Sequence, residues 1–346
     1  MFRIVATIVV AVFLMAGGAF AQPTGSAPSS AITEWGDPDL QGVWDFGTMT
    51  PLERPEDQAD KAFLTEEEAA AASAAVADRI ARESEPSEIG RGALAVGDTN
   101  AAGRYNEFWL ERATNVVGDR RTSLIIDPPN GRLPPLTPEG EASQQLGNYW
   151  TDVPLGPPVR VKGAGSGVDN PEERGLSERC LIGFNTGPPM MPGAYNNNMQ
   201  LFQTPDTVVI YNEMVHDARI VSLDGCSHVP EHIRQWMGDA RGHWDGDILV
   251  VETTNFTDKT GSFDPNQNTA IGSGLTLHLT ERFRRLDEDT LLYEYTVNDP
   301  TTFTQPFTVA LPMRRSDNPM YEYACHEGNR GLEVILSGGA NRRTRP

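Results

Sequence analysis

Lysine is nearly absent: in 346 residues it occurs only at positions 61, 162 and 259. Schiff-base catalysis needs a lysine amine desolvated in a pocket, and this sequence offers little to build one from. Positive charge is scarce in general, with 28 basic against 48 acidic side chains and a formal net charge of -20. Nucleic-acid binding runs on Lys and Arg displacing counterions from phosphate, so this balance excludes it. The same balance disfavours adsorption to anionic lipid. There is no Gly-x-Ser-x-Gly elbow, no phosphate-cradling Gly-Lys-Ser/Thr loop and no Rossmann fingerprint, so neither an α/β-hydrolase nor a nucleotide-cofactor enzyme is expected. Past residue 21 no apolar run approaches the ~20 residues of a membrane span.

The first 21 residues hold the one long apolar run. Arg3 precedes Ile4 to Met15, and Ala19-Phe20-Ala21 has the small-x-small form of a signal-peptidase site. The expectation is a signal peptide cleaved after Ala21, a flexible Ser/Pro/Ala-rich leader over 22–34, and a periplasmic or secreted protein with no stable membrane insertion once cleaved. The three cysteines, Cys180, Cys226 and Cys325, allow one internal bridge and leave one thiol over. Cys180–Cys325 is the expected pair, since it closes a long loop and ties the C-terminal segment to the middle of the chain in an oxidising compartment. Cys226 follows Asp224-Gly225, where the acid raises a thiol pKa and makes a nucleophile improbable.

Thr65 with Glu68 three positions on forms a capping box, and an Ala-rich body predicts a peripheral helix over 65–83. Pro138 after Thr137 starts a second short helical insertion over 138–146. From residue 198 the hydrophobic period becomes two. Thr207 to Met214, Ala218 to Leu223, Ile248 to Thr253, the segment Leu275, Leu277, Leu279, Phe283, then Leu291 to Val297 and Phe307 to Met313 read as strands separated by turns. Eight or nine such strands predict an antiparallel meander closing into a lipocalin-like barrel, with a β-sandwich as the alternative, in a single domain over 35–346. Gly42-x-Trp44 resembles the lipocalin strand start.

Five blocks carry a more specific resemblance: Asp127-Pro128-Pro129-Asn130-Gly131-Arg132, Pro192 to Asn198 (PGAYNNN), Glu213-Met214-Val215-His216-Asp217, Arg234 to Gly242 (RQWMGDARG) and Tyr321 to Asn329 (YEYACHEGN). Together they resemble a family of exported bacterial proteins of largely uncharacterised function. The resemblance implies secretion and one continuous domain over roughly 35–340, and supplies no chemistry to carry over. Cys226 stands where that family usually has Arg.

Four of the six histidines, His216, His228, His232 and His243, fall close together among Glu213, Asp217, Glu231 and Asp239. Their spacing matches no zinc signature, and Pro230 interrupts any helix that would align His228 with His232. No cofactor is expected, with metal dependence the weaker alternative. Carboxylates beside imidazoles are the minimum apparatus for proton transfer. Glu213, His216, Asp217 and His326 are therefore the catalytic candidates, with Tyr195, Asn197, Trp236, Arg241 and Glu327 as substrate contacts. The competing assignments are turn capping for Asp217 and the asparagines, and loop bracing for Arg241. The resulting expectation is a cofactor-independent lyase, isomerase or hydrolase acting on a hydrophobic or aromatic small molecule, held in a barrel lined by Trp44, Phe202, Trp236, Trp244, Phe283, Tyr293, Tyr295 and Phe307. The alternatives are a non-catalytic carrier of such a molecule and a metal-dependent enzyme.

Overall fold

The computed structural model describes residues 31–84, 113–147 and 155–343. The expected signal peptide and residues 22–30 of the leader lie outside the described residues. Nine strands form a closed β-barrel: β1 (Gly42–Asp45), β4 (Asn198–Gln203), β5 (Thr207–Asn212), β6 (Ala218–Ser222), β7 (Asp239–Asp245), β8 (Ile248–Thr254), β11 (His278–Arg285), β12 (Thr290–Asn298) and β13 (Phe307–Ser316). They follow in that order around the ring, and β13 returns to pair with β1. A short β2 (Ile125–Asp127) adds to β13, while β3 (Gln145–Leu146), β9 (Phe263–Asn266) and β10 (Thr269–Ile271) make a small separate sheet.

One junction departs from the expected meander. β6 and β7 run parallel and share a single register pair, Ser222 with Arg241. Residues 223–238 carry the chain back to the end it left, the long crossover that a parallel pair needs. Gly238, at φ +70°, makes the final bend into β7; a Cβ there would lie 2.6 Å from both the Thr253 side chain and the Thr254 carbonyl. The barrel is thus sealed by full ladders everywhere except this seam.

The lumen is full of side chains, as a ring of this size allows. Trp44, Phe283, Tyr293, Tyr295 and Phe307 are fully buried in one apolar cluster with Met190, Met199, Leu249 and Leu311. Phe283 stacks on Tyr293 with centroids 4.8 Å apart, and Tyr293 lies 5.5 Å from Tyr295. These five aromatics are core and do not line an open pocket, because each ring fills the space its neighbours leave; Phe202 points outward and is 45 % exposed. Amid the apolar filling lies a charged pair. Arg219 donates from Nη1 and Nη2 to the two oxygens of Glu281 at 2.6 and 2.9 Å, and Tyr293 Oη donates to the same carboxylate at 2.6 Å. Tyr293 Oη in turn accepts the Met190 N–H, anchoring the loop that closes this end of the barrel.

Two further elements follow the sequence reading. Helix α1 (Glu66–Ser84) has the reciprocal Thr65–Glu68 capping box, with Thr65 N–H to Glu68 at 2.9 Å and Glu68 N–H to Thr65 Oγ1 at 3.2 Å. Helix α2 (Pro138–Ala142) is capped by Thr137, but it ends four residues before the predicted 146, where Gln145–Leu146 pairs as β3. A C-terminal helix α3 (Arg330–Arg343) had no counterpart in the sequence reading.

Beyond β12, Asp299 organises the loop that caps the same barrel end. It is 1 % exposed and accepts hydrogen bonds from the hydroxyls of Thr276, Thr301 and Thr302 at 2.6–2.8 Å. Burial alone pushes its carboxyl up, but these hydroxyls and Ser262 outweigh it and hold the group below its ordinary 3.8. A folded value below the unfolded one means stability that is full above about pH 4 and is lost as pH falls through the folded value. Asp299→Ala is therefore expected to cost about 2–4 kcal/mol at neutral pH. In urea unfolding followed against pH, the difference from the parent protein shrinks on the acid side; a pH-independent difference refutes the assignment.

Candidate functional site

All five sequence blocks gather at one end of the barrel. PGAYNNN leads into the start of β4, EMVHD joins the end of β5 to the start of β6, and RQWMGDARG runs into the start of β7. Asp127 pairs with Thr308 at the start of β13, and Tyr323 reaches the same end through its contact with His216. At the opposite end the connections 204–206, 246–247 and 286–289 are short turns, and the 223–238 crossover sets out from there.

Three clefts open here among the described residues: one of about 290 Å³ lined by Asp45, Asn197, Asn198 and Arg314, and two that hold aromatic side chains. The larger, about 550 Å³, lies over the parallel seam and is lined by Ala218, Arg219 and Ile220 on β6 and by Trp236 to Ala240 on the approach to β7, with Arg234 and Gln235 at its rim. Arg219 is 4 % exposed and its Nε is buried without a hydrogen-bond partner, although both terminal nitrogens are engaged by Glu281. A buried donor left unmade costs about 1–3 kcal/mol, so this N–H is a standing invitation to an acceptor atom. Of the predicted contacts, Trp236 is a wall of this cleft. Arg241 is committed elsewhere: its Nε and Nη2 clamp Asp239 at 3.2 Å each, the bracing role. Asp239 also takes the His228 ring at 2.9 Å and the Val229 N–H at 3.1 Å. Burial raises its carboxyl, but the Arg241, Val229 and His228 bonds prevail and keep it below the ordinary range. Because an ionised carboxylate only accepts, His228 Nδ1 carries the proton and Nε2 the lone pair.

The second cleft, about 190 Å³, lies between the 213–217 turn and the C-terminal segment, with Phe184, Tyr195, Met214, Glu178 and Tyr323 among its walls. The turn is tightly wound, with Val215 and His216 both in the left-handed region at φ 60° and 47°. That conformation is costly for a β-branched residue. Its polar groups are spent on structure. Glu213, 2 % exposed, accepts from the Asn198 amide at 2.7 Å and the Tyr321 N–H at 3.2 Å. Asp217 accepts from Gly183 N–H at 3.3 Å and Thr186 Oγ1 at 3.1 Å, and burial raises its carboxyl. His216 Nδ1 donates to the Tyr323 carbonyl at 3.0 Å, which leaves Nε2 as its basic nitrogen. Asn197 is buried in a loop brace with Gly193 and Asn185.

The predicted disulfide is present: Cys180 and Cys325 are bonded with Cα atoms 5.8 Å apart, and Cys226 is free and exposed. It brings the 321–325 stretch onto the 213–217 turn, but the convergence stops short of the second imidazole–carboxylate pair. His326 and Glu327 lie on the exposed far side of the bridge. Among the described residues no three His, Cys, Asp or Glu side chains come together as a metal site, and no helix is long and apolar enough to cross a membrane.

No family model matches the chain, and no curated protein does. Among solved structures it is similar to a single-residue mutant of the fluorescent protein UnaG, at 12 % identity over 35 % of this chain and 72 % of that one, with a TM-score of 0.21. That likeness is too slight to carry an argument.

Arg219 and Glu281 were not singled out from sequence, and Tyr323 was marked only as part of its block. For the first two a signal existed: Arg219 stands in phase with Val221, and Glu281 with Leu279 and Phe283, so each puts a charge where the pattern calls for an apolar side chain.

Proposed function

We infer that the protein binds a small, flat, largely apolar molecule in the seam cleft, with an acceptor oxygen of that molecule on Arg219 Nε and its ring face on Trp236. What supports this is a cleft of about 550 Å³, a volume in the range of small-molecule sites, lined by Trp236 and by Arg219, whose buried Nε has no hydrogen-bond partner. Arg219 is already neutralised by Glu281, which favours a neutral acceptor such as a carbonyl or phenol over a carboxylate. The mostly apolar ligand expected from sequence is retained; its place moves from the lumen to the seam.

Calorimetric titration with a panel of neutral aromatic ketones and phenols, with their deoxygenated counterparts as controls, tests the reading. The oxygenated members bind and the controls do not. Trp236→Ala weakens binding at least about tenfold, equivalent to ~1.4 kcal/mol, while Trp236→Phe retains most of it. A panel with no binder, or binding indifferent to Trp236→Ala, refutes it.

Acid/base catalysis has one observation in its favour: the His228–Asp239 pair adjoins this cleft, with a fixed tautomer and a basic Nε2. Glu213 and Asp217 are tied to neutral donors, so of the catalytic candidates from sequence the two imidazoles, His216 beside the second cleft and the exposed His326, are left. Conversion of the bound ligand by the parent protein, lost in His228→Gln or in His216→Gln, supports an enzyme and says which imidazole acts. Ligand recovered intact supports the carrier.

A further inference from the structure

The second cleft is distinct from the seam cleft, and the two share no lining residue. Three aromatic rings surround it. Tyr195 and Tyr323 lie near-parallel, 23° apart in plane with centroids at 6.4 Å, and Phe184 meets Tyr195 edge-on at 5.2 Å and 87°. Met214 contributes to the floor, and the adjoining Cys180–Cys325 bridge fixes the backbone two residues from Tyr323. An offset-stacked tyrosine pair alone is ordinary packing. Here, however, the rings face a cavity of about 190 Å³, enough room for a small guest.

The charge around the rings selects the guest. No Lys or Arg lines the cavity, and the one charged lining residue is Glu178. Its carboxylate is anchored by Arg174 at 2.5 Å and by the N–H groups of Gly165 and Gly175 at 2.9 Å each. Glu213 and Asp217 flank the lining residues Met214 and Val215 without lining the cavity, and their hydrogen bonds come from neutral donors. Nearby Lys162 is paired with Asp264 at 3.2 Å. Aromatic rings beside a lining carboxylate, with no Lys or Arg in the lining and in a chain of net charge -20, favour cations over anions.

We propose that Phe184, Tyr195 and Tyr323 form an aromatic cage for a quaternary or fully methylated ammonium group. The three rings supply cation–π faces, and Met214 supplies polarisable contact.

The test is titration of the full-length mature protein with tetramethylammonium and choline, alongside the neutral isostere 3,3-dimethylbutan-1-ol. Choline is expected to bind at least about tenfold more tightly than the isostere. Tyr195→Leu and Phe184→Leu each weaken it about tenfold, and Tyr323→Phe keeps it within about threefold because the ring remains. To separate loss of the ring from loosening of the C-terminal segment, each leucine variant is also scored for an unchanged melting temperature, and Tyr195→Phe is the ring-preserving control. Trp236→Ala leaves ammonium binding unchanged, which separates this site from the seam cleft. Equal affinity for the isostere shows a merely apolar cavity and overturns the proposal, as does absence of binding or indifference to the leucine variants in a folded protein.

Discussion

Glu281→Leu is expected to destabilise the protein by about 3–5 kcal/mol, the largest effect of any single substitution considered. The glutamate is completely buried and neutralises Arg219, which is 4 % exposed. Burial by itself lowers the guanidinium's hold on its proton, and Glu281 more than restores it, so Arg219 stays charged in both states. Removing the carboxylate strands a buried cation and also takes the acceptor from Tyr293 Oη, which links Glu281 to the Met190 loop. β6 and β11 are separated in the ring by β7 and β8, so the pair spans the lumen beneath the seam. Urea unfolding reads the loss directly. The double variant Arg219→Met/Glu281→Leu should recover most of it, because two apolar side chains of similar volume remove the desolvation cost together. If the double variant is as unstable as the sum of the two single changes, the charges are not a coupled pair and this account fails. Recovery of stability in the double variant should also coincide with loss of ligand binding at the seam, since Nε goes with the guanidinium.

The barrel was legible because a half-buried strand writes its two faces into the sequence with period two. Val208 and Ile210, or Leu291, Tyr293, Tyr295 and Val297, alternate inward as read. The error at Leu275 is instructive. It stands in phase with Leu277 and Leu279, yet the strand begins only at His278, and Leu275 sits 45 % exposed in a one-turn 3-10 helix. Periodicity reports which face a residue would take and not where pairing starts. The parallel seam was not legible at all. Residues 223–238 hold one Pro, two Gly and many polar side chains, and nothing in their composition distinguishes a hairpin loop from a crossover.

For the site, the five blocks marked in the sequence meet at one barrel end, but the partners of their side chains were not legible. A carboxylate next to an imidazole looks the same whether it moves protons or closes a turn; only the partners decide. Asp217 and Glu213 are met by neutral donors from distant segments, Gly183, Thr186, Asn198 and Tyr321, and that information is tertiary. His228 was discounted for lack of a helical partner, whereas its real partner, Asp239, comes from β7 at the end of the crossover. Arg219 and Glu281 were detectable as charges out of pattern, which is the local conflict that marks strained or functional positions.

Replacing both bridge cysteines, Cys180→Ser with Cys325→Ser, is expected to cost about 3–5 kcal/mol and to loosen one end of the molecule before the other. The bridge spans 145 residues and encloses most of the barrel, and chain-entropy arithmetic for so long a loop gives about 5 kcal/mol as the upper figure. What remains to hold the C-terminal segment is modest: the Tyr323 carbonyl on His216, Tyr321 N–H on Glu213, Asn329 Nδ2 on the Glu178 carbonyl at 3.3 Å, and the close seat of Gly339 against Val168. Such neutral or single hydrogen bonds are worth about 0.5–3 kcal/mol each, and they act on a segment that is otherwise largely exposed. The barrel ladders do not depend on it. Limited proteolysis of the serine variant should therefore cut between about residues 317 and 330 while the barrel stays intact, and the parent protein should resist under the same conditions. Ligand binding at the seam should survive this cut, but ammonium binding should not, because Tyr323 leaves with the released segment. Cleavage that spreads at once through the barrel would mean that the bridge, and not the strand pairing, sets the cooperative unit; the two clefts would then be lost together.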